Sequence, residues 1–204
     1  MTLHIFDVDG TLIASNKAKS HGFWLTAANR WGEDIADQVV AYHQQAGSIS
    51  REARWQHIFE HIVGYTPSGD EFEHVLDSCT RHITDLCAKA APVPGAREFV
   101  ETCEERMVVS GITQPELGQV LEHHGLAHLF SGVFGGHKGP LLKRLVQSGT
   151  IHLPAVYYGD TRDDWLSATE AGLDFVLVTA DTEWAFFDEY TGPRISDFTR
   201  TVAA

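Results

Sequence analysis

Two carboxylates stand one residue apart at the end of the first apolar run of the chain. The run Leu3–Phe6 leads into Asp7, and Asp9 follows after a single valine, with Gly10 next to let the backbone turn. Carboxylates that share one small volume repel each other unless a cation lies between them. Hard divalent cations prefer oxygen ligands. The pair therefore predicts a metal site, and we expect the metal to be Mg²⁺.

Three later segments place polar groups after apolar runs in the same way. Ser110 and Gly111 end one run and offer a hydroxyl and a backbone N–H, which can bind an oxyanion. Lys138 follows a glycine-rich turn and opens a helix, so it could reach a phosphate near the first acids. Asp160 and Asp164 follow a fourth run and could complete the metal site, although such a string is also a plausible helix start.

The elements that must position these groups are short apolar strands separated by amphipathic helices. The strands are predicted over residues 3–6, 107–109, 132–134, 155–158 and 175–179. This alternation indicates an α/β fold with a Rossmann-like parallel sheet that is covered on both faces. Ligands of such sheets bind at the carboxyl ends of the strands, which is where the polar groups stand.

The first two strands are separated by far more chain than a crossover needs, which predicts an inserted unit. Apolar spacing within it predicts helices over residues 20–31, 35–45, 50–62 and 70–88. We therefore expect a core of residues 1–14 and 91–204, and an all-helical cap of residues 15–90. A further helix over residues 96–105 should precede the second strand.

Composition narrows the classes of function. The chain has 204 residues and a net charge of -13, which argues against a nucleic-acid partner because phosphate binding relies on clustered Lys and Arg. Three cysteines without a CxxC pair indicate neither a disulfide framework nor a zinc site. Without a leader-like or membrane-spanning apolar run, the chain is expected to be cytoplasmic and not to bind membranes. His57 and His61 are expected to be surface histidines.

In this order, the four polar segments resemble the motifs of the haloacid dehalogenase superfamily. Those motifs are DxDx[TV], a Ser or Thr after the second strand, a Lys, and an acidic pair of the GDxxxD type. The resemblance covers nearly the whole chain, and it points to the phosphatase branch with a helical cap, in which phosphoglycolate phosphatases and β-phosphoglucomutases are found. It implies a hydrolase that uses Mg²⁺ and acts on a small phosphorylated metabolite.

The resemblance also implies roles for the matching residues. Asp7 would be the nucleophile that takes the phosphoryl group, and Asp9 the general acid and base. Lys138 would neutralise the charge shared by Asp7 and the phosphate. The residues that would hold phosphoryl oxygens are Thr11, Ser110, Gly111 and Lys138.

The expected metal site joins two of the motifs. Asp160 would bind Mg²⁺ together with Asp7 and the backbone carbonyl of Asp9, while Asp164 would support the metal indirectly. Asp163 fits the register of the motif less well than Asp164. If Lys138 were not the lysine of the third motif, Lys143 would be the fallback.

Asp9 separates branches of the resemblance, because an alkoxide leaving group needs a proton and a halide does not. A phosphatase is therefore favoured over a dehalogenase. A β-phosphoglucomutase-like enzyme is the main alternative, since the segment from Gly47 to Arg51 looks like a turn that grips a second phosphate. A protein that binds phosphate without turnover is a further alternative. Trp24, Trp55 and Arg51 in the cap are candidates for selecting the substrate, although tryptophans at helical spacing more often pack.

Overall fold

The computed structural model describes residues 1–46, 49–183 and 189–200. The chain divides into two compact units. One consists of Met1–Ala14 and Ala91–Ala204, and the other is Ser15–Ala90. We call them the sheet unit and the helical unit.

The sheet unit is built on parallel strands, as the sequence predicts. Six strands are described: β1 (Leu3–Phe6), β2 (Glu105–Ser110), β3 (Gly132–Gly135), β4 (Ala155–Gly159), β5 (Asp174–Val178) and β6 (Arg194–Ile195). Their order across the sheet is β3-β2-β1-β4-β5-β6, and each neighbouring pair is parallel. The two-residue strand β6 has no apolar run of its own, so the sequence did not reveal it.

Helices flank these strands and fill the helical unit. The described α-helices are α1 (Asn16–Trp31), α2 (Glu33–Gln45), α3 (Arg51–His57), α4 (Gly69–Cys87), α5 (Ala96–Thr102), α6 (Gln114–His123), α7 (Lys138–Gln147) and α8 (Arg162–Glu170). Helix α5 ends three residues earlier than the sequence predicts, because Glu105 already belongs to β2. No described helix has the length and apolar content that a membrane crossing needs.

The helical unit has its own apolar core. Trp55 of α3 is completely buried there and stacks near Phe23 of α1, with ring centroids 5.6 Å apart. Helix α3 continues as a π-helical segment, Ile58–Val63, which ends at Gly64 with a φ of 88°. Ser50 and Ser68 cap α3 and α4, since their side chains accept hydrogen bonds from backbone N–H groups. This core explains how the insertion folds as a compact unit.

One arginine fixes the early end of α5 to the sheet. The two hydrogens on Nη1 of Arg106, in β2, are shared among the carbonyls of Val100 at 2.8 Å, Glu101 at 3.1 Å and Cys103 at 2.8 Å. Its Nε donates to the carbonyl of Leu129. Carbonyls near the end of a helix lack some of the donors that a continuing helix would supply, and Arg106 provides them here. A single side chain therefore joins α5, β2 and the segment before β3.

We expect Arg106→Met to lower the free energy of unfolding by about 2–3 kcal/mol, because charge-assisted hydrogen bonds to half-buried carbonyls are lost. Urea denaturation measures the change. The control is Arg162→Met, since Arg162 makes an exposed ion pair with Glu189 at 3.0 Å, and such a pair contributes at most about 1 kcal/mol. Equal effects of the two substitutions would contradict the capping role of Arg106.

Candidate active site

The four polar segments meet at one edge of the sheet. Strand β1 lies between β2 and β4, and Phe6 is in register with Val108 and Tyr158. The strands are parallel, so their carboxyl ends coincide and the residues that follow them converge. The order of the strands therefore brings together polar residues that are far apart in the sequence.

A tight turn follows β1 and buries its polar residues. Gly10 has a φ of 73°, a conformation that favours glycine. Its N–H donates to the carbonyl of Ile13 at 2.7 Å, while the carbonyl of Val8 accepts from Leu12 at 2.9 Å. The turn leaves Thr11 completely buried and Asp9 half-buried.

Lys138, at the start of α7, joins two buried carboxylates. Its Nζ donates to Oδ2 of Asp7 at 2.7 Å and to Oδ1 of Asp164 at 2.5 Å. The three side chains are 4, 7 and 0% exposed for Asp7, Lys138 and Asp164. A buried ammonium between two carboxylates offsets charges that would otherwise be costly to bury. The structure therefore brings the first, third and fourth motifs into direct contact.

The burial of these charges changes how they titrate. Burial raises the pKa of Asp7 from its ordinary 3.8 to about 6; the positive charge of Lys138 opposes this change, and Asp164 and Asp9 add to it. Burial by itself would lower the pKa of Lys138, but the charges of Asp164 and Asp7 outweigh it and raise that pKa. Lys138 therefore remains an ammonium ion at neutral pH.

Both oxygens of Asp164 are engaged by the protein. Oδ2 accepts from the backbone N of Thr161 at 3.0 Å and from its Oγ1 at 2.5 Å. The Asp164 backbone N donates back to Thr161 Oγ1 at 3.1 Å, which completes a capping box at the start of α8. Oδ1 faces Lys138 and the hydroxyl of Tyr157, the latter at 3.2 Å. Asp164 is thus placed to orient Lys138.

Three carboxylates are close enough to hold a cation. Asp7, Asp160 and Asp164 each offer an oxygen, and these atoms lie within 4.8 Å of one another. Within the described residues, Oδ1 of Asp7 is buried and has no hydrogen-bond partner. Oδ1 of Asp160 accepts a long hydrogen bond from Thr11 Oγ1 at 3.5 Å. Clustered, buried carboxylate oxygens with one left unsatisfied suit a hard divalent cation.

Ser110 and Gly111, which are expected to hold phosphoryl oxygens, stand at the carboxyl end of β2. Ser110 is buried, and its Oγ accepts a long hydrogen bond from the N–H of Ile112 at 3.5 Å. Gly111 is exposed, and a Cβ at this position would lie 3.3 Å from Cε of Lys138. The second motif and the lysine are therefore neighbours.

Lys143 lies outside this arrangement. Its Nζ forms an exposed ion pair with Oε2 of Glu170 at 2.8 Å. Of the two lysines that the sequence offers for the third motif, Lys138 is the one that contacts Asp7.

The cap residues proposed from sequence divide into two groups. Trp55 has no exposed surface, so it packs the helical unit and cannot contact a substrate; its selection as a substrate residue is corrected. Trp24 is half-buried and its Nε1 donates to Oδ1 of Asp37 at 2.8 Å. Arg51 donates from Nη1 to Thr80 Oγ1 at 2.8 Å.

The turn that the sequence suggests as a binding site for a second phosphate lies only partly within the described residues. Gly47 and Ser48 lie outside the described residues. Ser50 is the N-cap of α3, with Oγ 3.1 Å from the N of Ala53. An ordinary helix start therefore accounts for this serine.

Sequence reasoning missed two residues that support the site. Thr161 binds both the backbone and the carboxylate of Asp164, and it was visible only as a possible helix cap. Tyr157 lies inside β4, where an aromatic residue signals packing. The spacing of Thr161 and Asp164 signals a capping box, whereas the role of Tyr157 has no sequence signal because it depends on contacts made across the fold.

Gly159, the last residue of β4, has no room for a side chain. A Cβ there would lie 2.5 Å from Cβ of Asp164 and 2.6 Å from its Cγ. We expect Gly159→Ala to displace Asp164 and to lower the free energy of unfolding by about 1–3 kcal/mol. Thermal denaturation measures this change. The control is Gly118→Ala in α6, where nothing lies within 4 Å; there alanine should be neutral or stabilising, and a neutral Gly159→Ala would contradict the close contact.

Known proteins match this chain in both family and fold. A family model described as haloacid dehalogenase-like hydrolase matches residues 4–178. A predicted phosphoglycolate phosphatase from Haemophilus somnus superposes with a TM-score of 0.75 at 19% identity, covering 100% of this chain and 97% of that chain. A haloacid dehalogenase-like hydrolase from Streptococcus pneumoniae superposes with a TM-score of 0.75 at 16% identity, with the same coverage of 100% and 97%.

A protein named as a candidate β-phosphoglucomutase, from Thermotoga maritima, superposes with a TM-score of 0.67 at 17% identity and covers 87% of this chain and 85% of that chain. None of the curated proteins matches this chain in sequence. At these identities the solved structures establish the shared fold, and the family model establishes more than the fold, because it spans most of the chain.

Proposed function

Because the chain belongs to the haloacid dehalogenase-like hydrolases, we propose that it is a Mg²⁺-dependent phosphatase. The substrate would be a small organic phosphate monoester, and the reaction would pass through an aspartyl phosphate on Asp7. The observation that carries the proposal is the state of the Asp7 carboxylate. Lys138 holds one of its oxygens at 2.7 Å, and the other is buried without a hydrogen-bond partner among the described residues.

The residues present fit a magnesium ion. Asp7 and Asp160 would be its carboxylate ligands, joined by the backbone carbonyl of Asp9, while the engaged oxygens of Asp164 suit an indirect role. When bound, the ion would supply positive charge that neutralises the acids and the phosphoryl oxygens.

In the proposed reaction the two acids that follow β1 act in turn. In the first step an oxygen of Asp7 bonds to phosphorus, the bond between phosphorus and the ester oxygen breaks, and Asp9 gives its proton to the departing alcohol. In the second step Asp9 takes a proton from water, whose oxygen bonds to phosphorus. The bond between phosphorus and the Asp7 oxygen then breaks, which releases inorganic phosphate and restores the Asp7 carboxylate.

The positive and polar groups around Asp7 would stabilise the transferring group. Lys138 would offset the negative charge that Asp7 and the phosphoryl oxygens share. Thr11, Ser110 and the N–H of Gly111 would hold phosphoryl oxygens. Lys138 lies at the start of α7, Ser110 ends β2, and Thr11 lies in the hydrogen-bonded turn after β1, so little reorganisation would be needed during transfer.

The helical unit would be the cap that selects the substrate. The unit spans Ser15–Ala90 and has an apolar core of its own, so its sequence can vary without disturbing the sheet unit. Arg51 and Trp24 stay proposed substrate contacts, because both carry exposed or half-buried polar groups.

A β-phosphoglucomutase-like activity is the alternative. Arg51 favours it, since a cap arginine could bind a second phosphate on a sugar. The use of Ser50 as a helix cap, the Gly159-Asp160 pair in place of Glu-Asp, and the position of Lys19 where the mutases place a histidine favour the phosphatase. A binding protein without turnover is the least favoured alternative, because every expected catalytic group is present.

The test is release of inorganic phosphate from phosphoglycolate, several sugar phosphates and nucleotides, in Mg²⁺ or in EDTA. We expect release from at least one compound in Mg²⁺ and none in EDTA. Isomerisation of a sugar phosphate without net release would support the mutase instead. Bound substrate without turnover of any compound would support a binding protein.

A further inference from the structure

A tyrosine hydroxyl links two parts of the proposed phosphate site. Tyr157 lies in β4, and the single proton of its hydroxyl is shared between two acceptors, of which the nearer is the backbone carbonyl of Val109 in β2 at 2.7 Å. Strand β1 separates β2 from β4, so the side chain reaches across it. The same hydroxyl oxygen lies 3.2 Å from Oδ1 of Asp164.

These two partners stand next to the groups that would handle the phosphate. Val109 immediately precedes Ser110. Oδ1 of Asp164 is the oxygen that holds Nζ of Lys138 at 2.5 Å. One hydroxyl thus contacts the strand that presents Ser110 and the carboxylate that orients Lys138.

Packing alone does not explain the hydroxyl. Tyr157 has no exposed surface and belongs to an apolar cluster with Ile5, Leu142 and Phe175. A phenylalanine would fill this space without a polar atom to satisfy. Burying a hydroxyl costs free energy unless it is hydrogen-bonded, and here both acceptors belong to the site.

We propose that Tyr157 is a positioning residue: its hydroxyl holds Asp164, and through it Lys138, in the geometry needed for phosphoryl transfer. This inference rests on the proposed function. Asp164 has its Oδ2 fixed by Thr161, while Oδ1 is shared by Lys138 and Tyr157. Without the hydroxyl, Oδ1 keeps only Lys138, so the carboxylate and the ammonium can shift together away from Asp7.

The expected consequence is a loss in kcat with little change in KM. Lys138 would balance the charge that develops on the phosphoryl group during transfer, so its displacement raises the energy of the transition state more than that of the bound substrate. A misplacement of about 1 Å can cost about 100-fold in rate. We expect a smaller shift here, and a fall in kcat of about 5- to 50-fold.

Tyr157→Phe is the test, and Tyr190→Phe is its matched control. Tyr190 is also a buried tyrosine whose hydroxyl donates to a strand carbonyl, that of Phe175, at 2.8 Å. Within the described part of the chain its hydroxyl contacts the carbonyls of Phe175 and Pro193 and neither Asp164 nor Lys138, so it reports on the loss of a buried hydroxyl alone. We expect both variants to lose stability, and only Tyr157→Phe to lose kcat, with KM changed less than about threefold.

A second readout does not depend on activity. The NMR signal of the Lys138 ammonium group, identified by its loss in Lys138→Met, should shift in Tyr157→Phe and stay in place in Tyr190→Phe. Equal kcat values for the two variants, together with an unshifted signal, would overturn the inference. If wild type hydrolyses nothing, the proposed function fails, whereas the ammonium signal still decides whether Tyr157 positions Lys138.

Discussion

Asp7→Asn is expected to abolish Mg²⁺-dependent phosphate release, with a loss of at least about 10⁴-fold, as removal of a covalent nucleophile causes in other enzymes. An amide is a far weaker nucleophile than a carboxylate and carries no charge for a metal. The measurement is the rate of phosphate release on the best substrate of the panel. The control is Asp174→Asn, because Asp174 is exposed at the opposite, amino end of strand β5. Full activity in Asp7→Asn would rule out the aspartyl phosphate.

The same substitution is expected to stabilise the metal-free protein. The pKa of Asp7 is raised from 3.8 to about 6, so the folded state holds the Asp7 proton more tightly than the unfolded state does. Ionised Asp7 therefore costs stability, and this cost develops as pH rises from about 4 to 6 and is constant above that range. In EDTA at neutral pH, we expect the free energy of unfolding of Asp7→Asn to be about 1–3 kcal/mol higher than that of wild type.

Urea denaturation of both proteins at several pH values tests this expectation. The advantage of the asparagine variant should be absent near pH 4, appear between about pH 4 and 6, and shrink when Mg²⁺ is added to wild type, because a ligand that binds only the folded state stabilises it. An Asp7→Asn protein that is less stable than wild type at pH 7 in EDTA would show that the contact with Lys138 outweighs the cost of burying the charge.

Lys138→Met is the second substitution with a large expected effect. It removes the ammonium that lies between Asp7 and Asp164 and leaves two buried carboxylates facing each other. Breaking a buried ion pair from one side costs about 3–5 kcal/mol. Loss of its charge stabilisation should also lower kcat by about 10²–10³-fold. Denaturation in EDTA and phosphate release in Mg²⁺ measure the two effects.

Lys143→Met is the matched control for this change. Its side chain is 47% exposed and pairs with Glu170 on the surface, where an ion pair contributes at most about 1 kcal/mol. If Lys143→Met lost as much activity as Lys138→Met, the assignment of the third motif would have to change. Partial recovery of Lys138→Met stability with Mg²⁺ would fit a cation that replaces part of the missing charge.

The support around Asp164 shows where sequence reasoning reaches its limit. The GDxxxD pattern identifies Asp160 and Asp164 by type and spacing, and it suggests that Asp164 acts indirectly. The pattern holds no information on Tyr157. The hydroxyl of Tyr157, in β4, contacts the carbonyl of Val109 in β2 and a carboxylate oxygen of Asp164 that also binds Lys138 of α7, so its role depends on side-chain positions that no local spacing fixes.

In the helical unit, the tertiary structure decides the role of Trp55. Its residue type and helical spacing allow either packing or substrate contact. Burial decides between them, because the helices of the unit enclose the indole completely. Arg51 and Trp24 keep exposed or half-buried polar groups, yet their roles depend on a substrate whose chemistry the residues alone do not specify.

The sequence by itself determined the positions of five strands to within about two residues, the two acids after β1, and the order of the four motifs. These features follow from local physical chemistry. Apolar runs form buried strands, a glycine permits the turn, and two carboxylates one residue apart need a positive charge nearby. Only the tertiary structure decided that Lys138 rather than Lys143 contacts Asp7, that Asp164 is fully engaged, and that Trp55 is core. Those outcomes depend on which groups from distant parts of the chain share one buried space, because hydrogen bonding and burial act through space and not along the sequence.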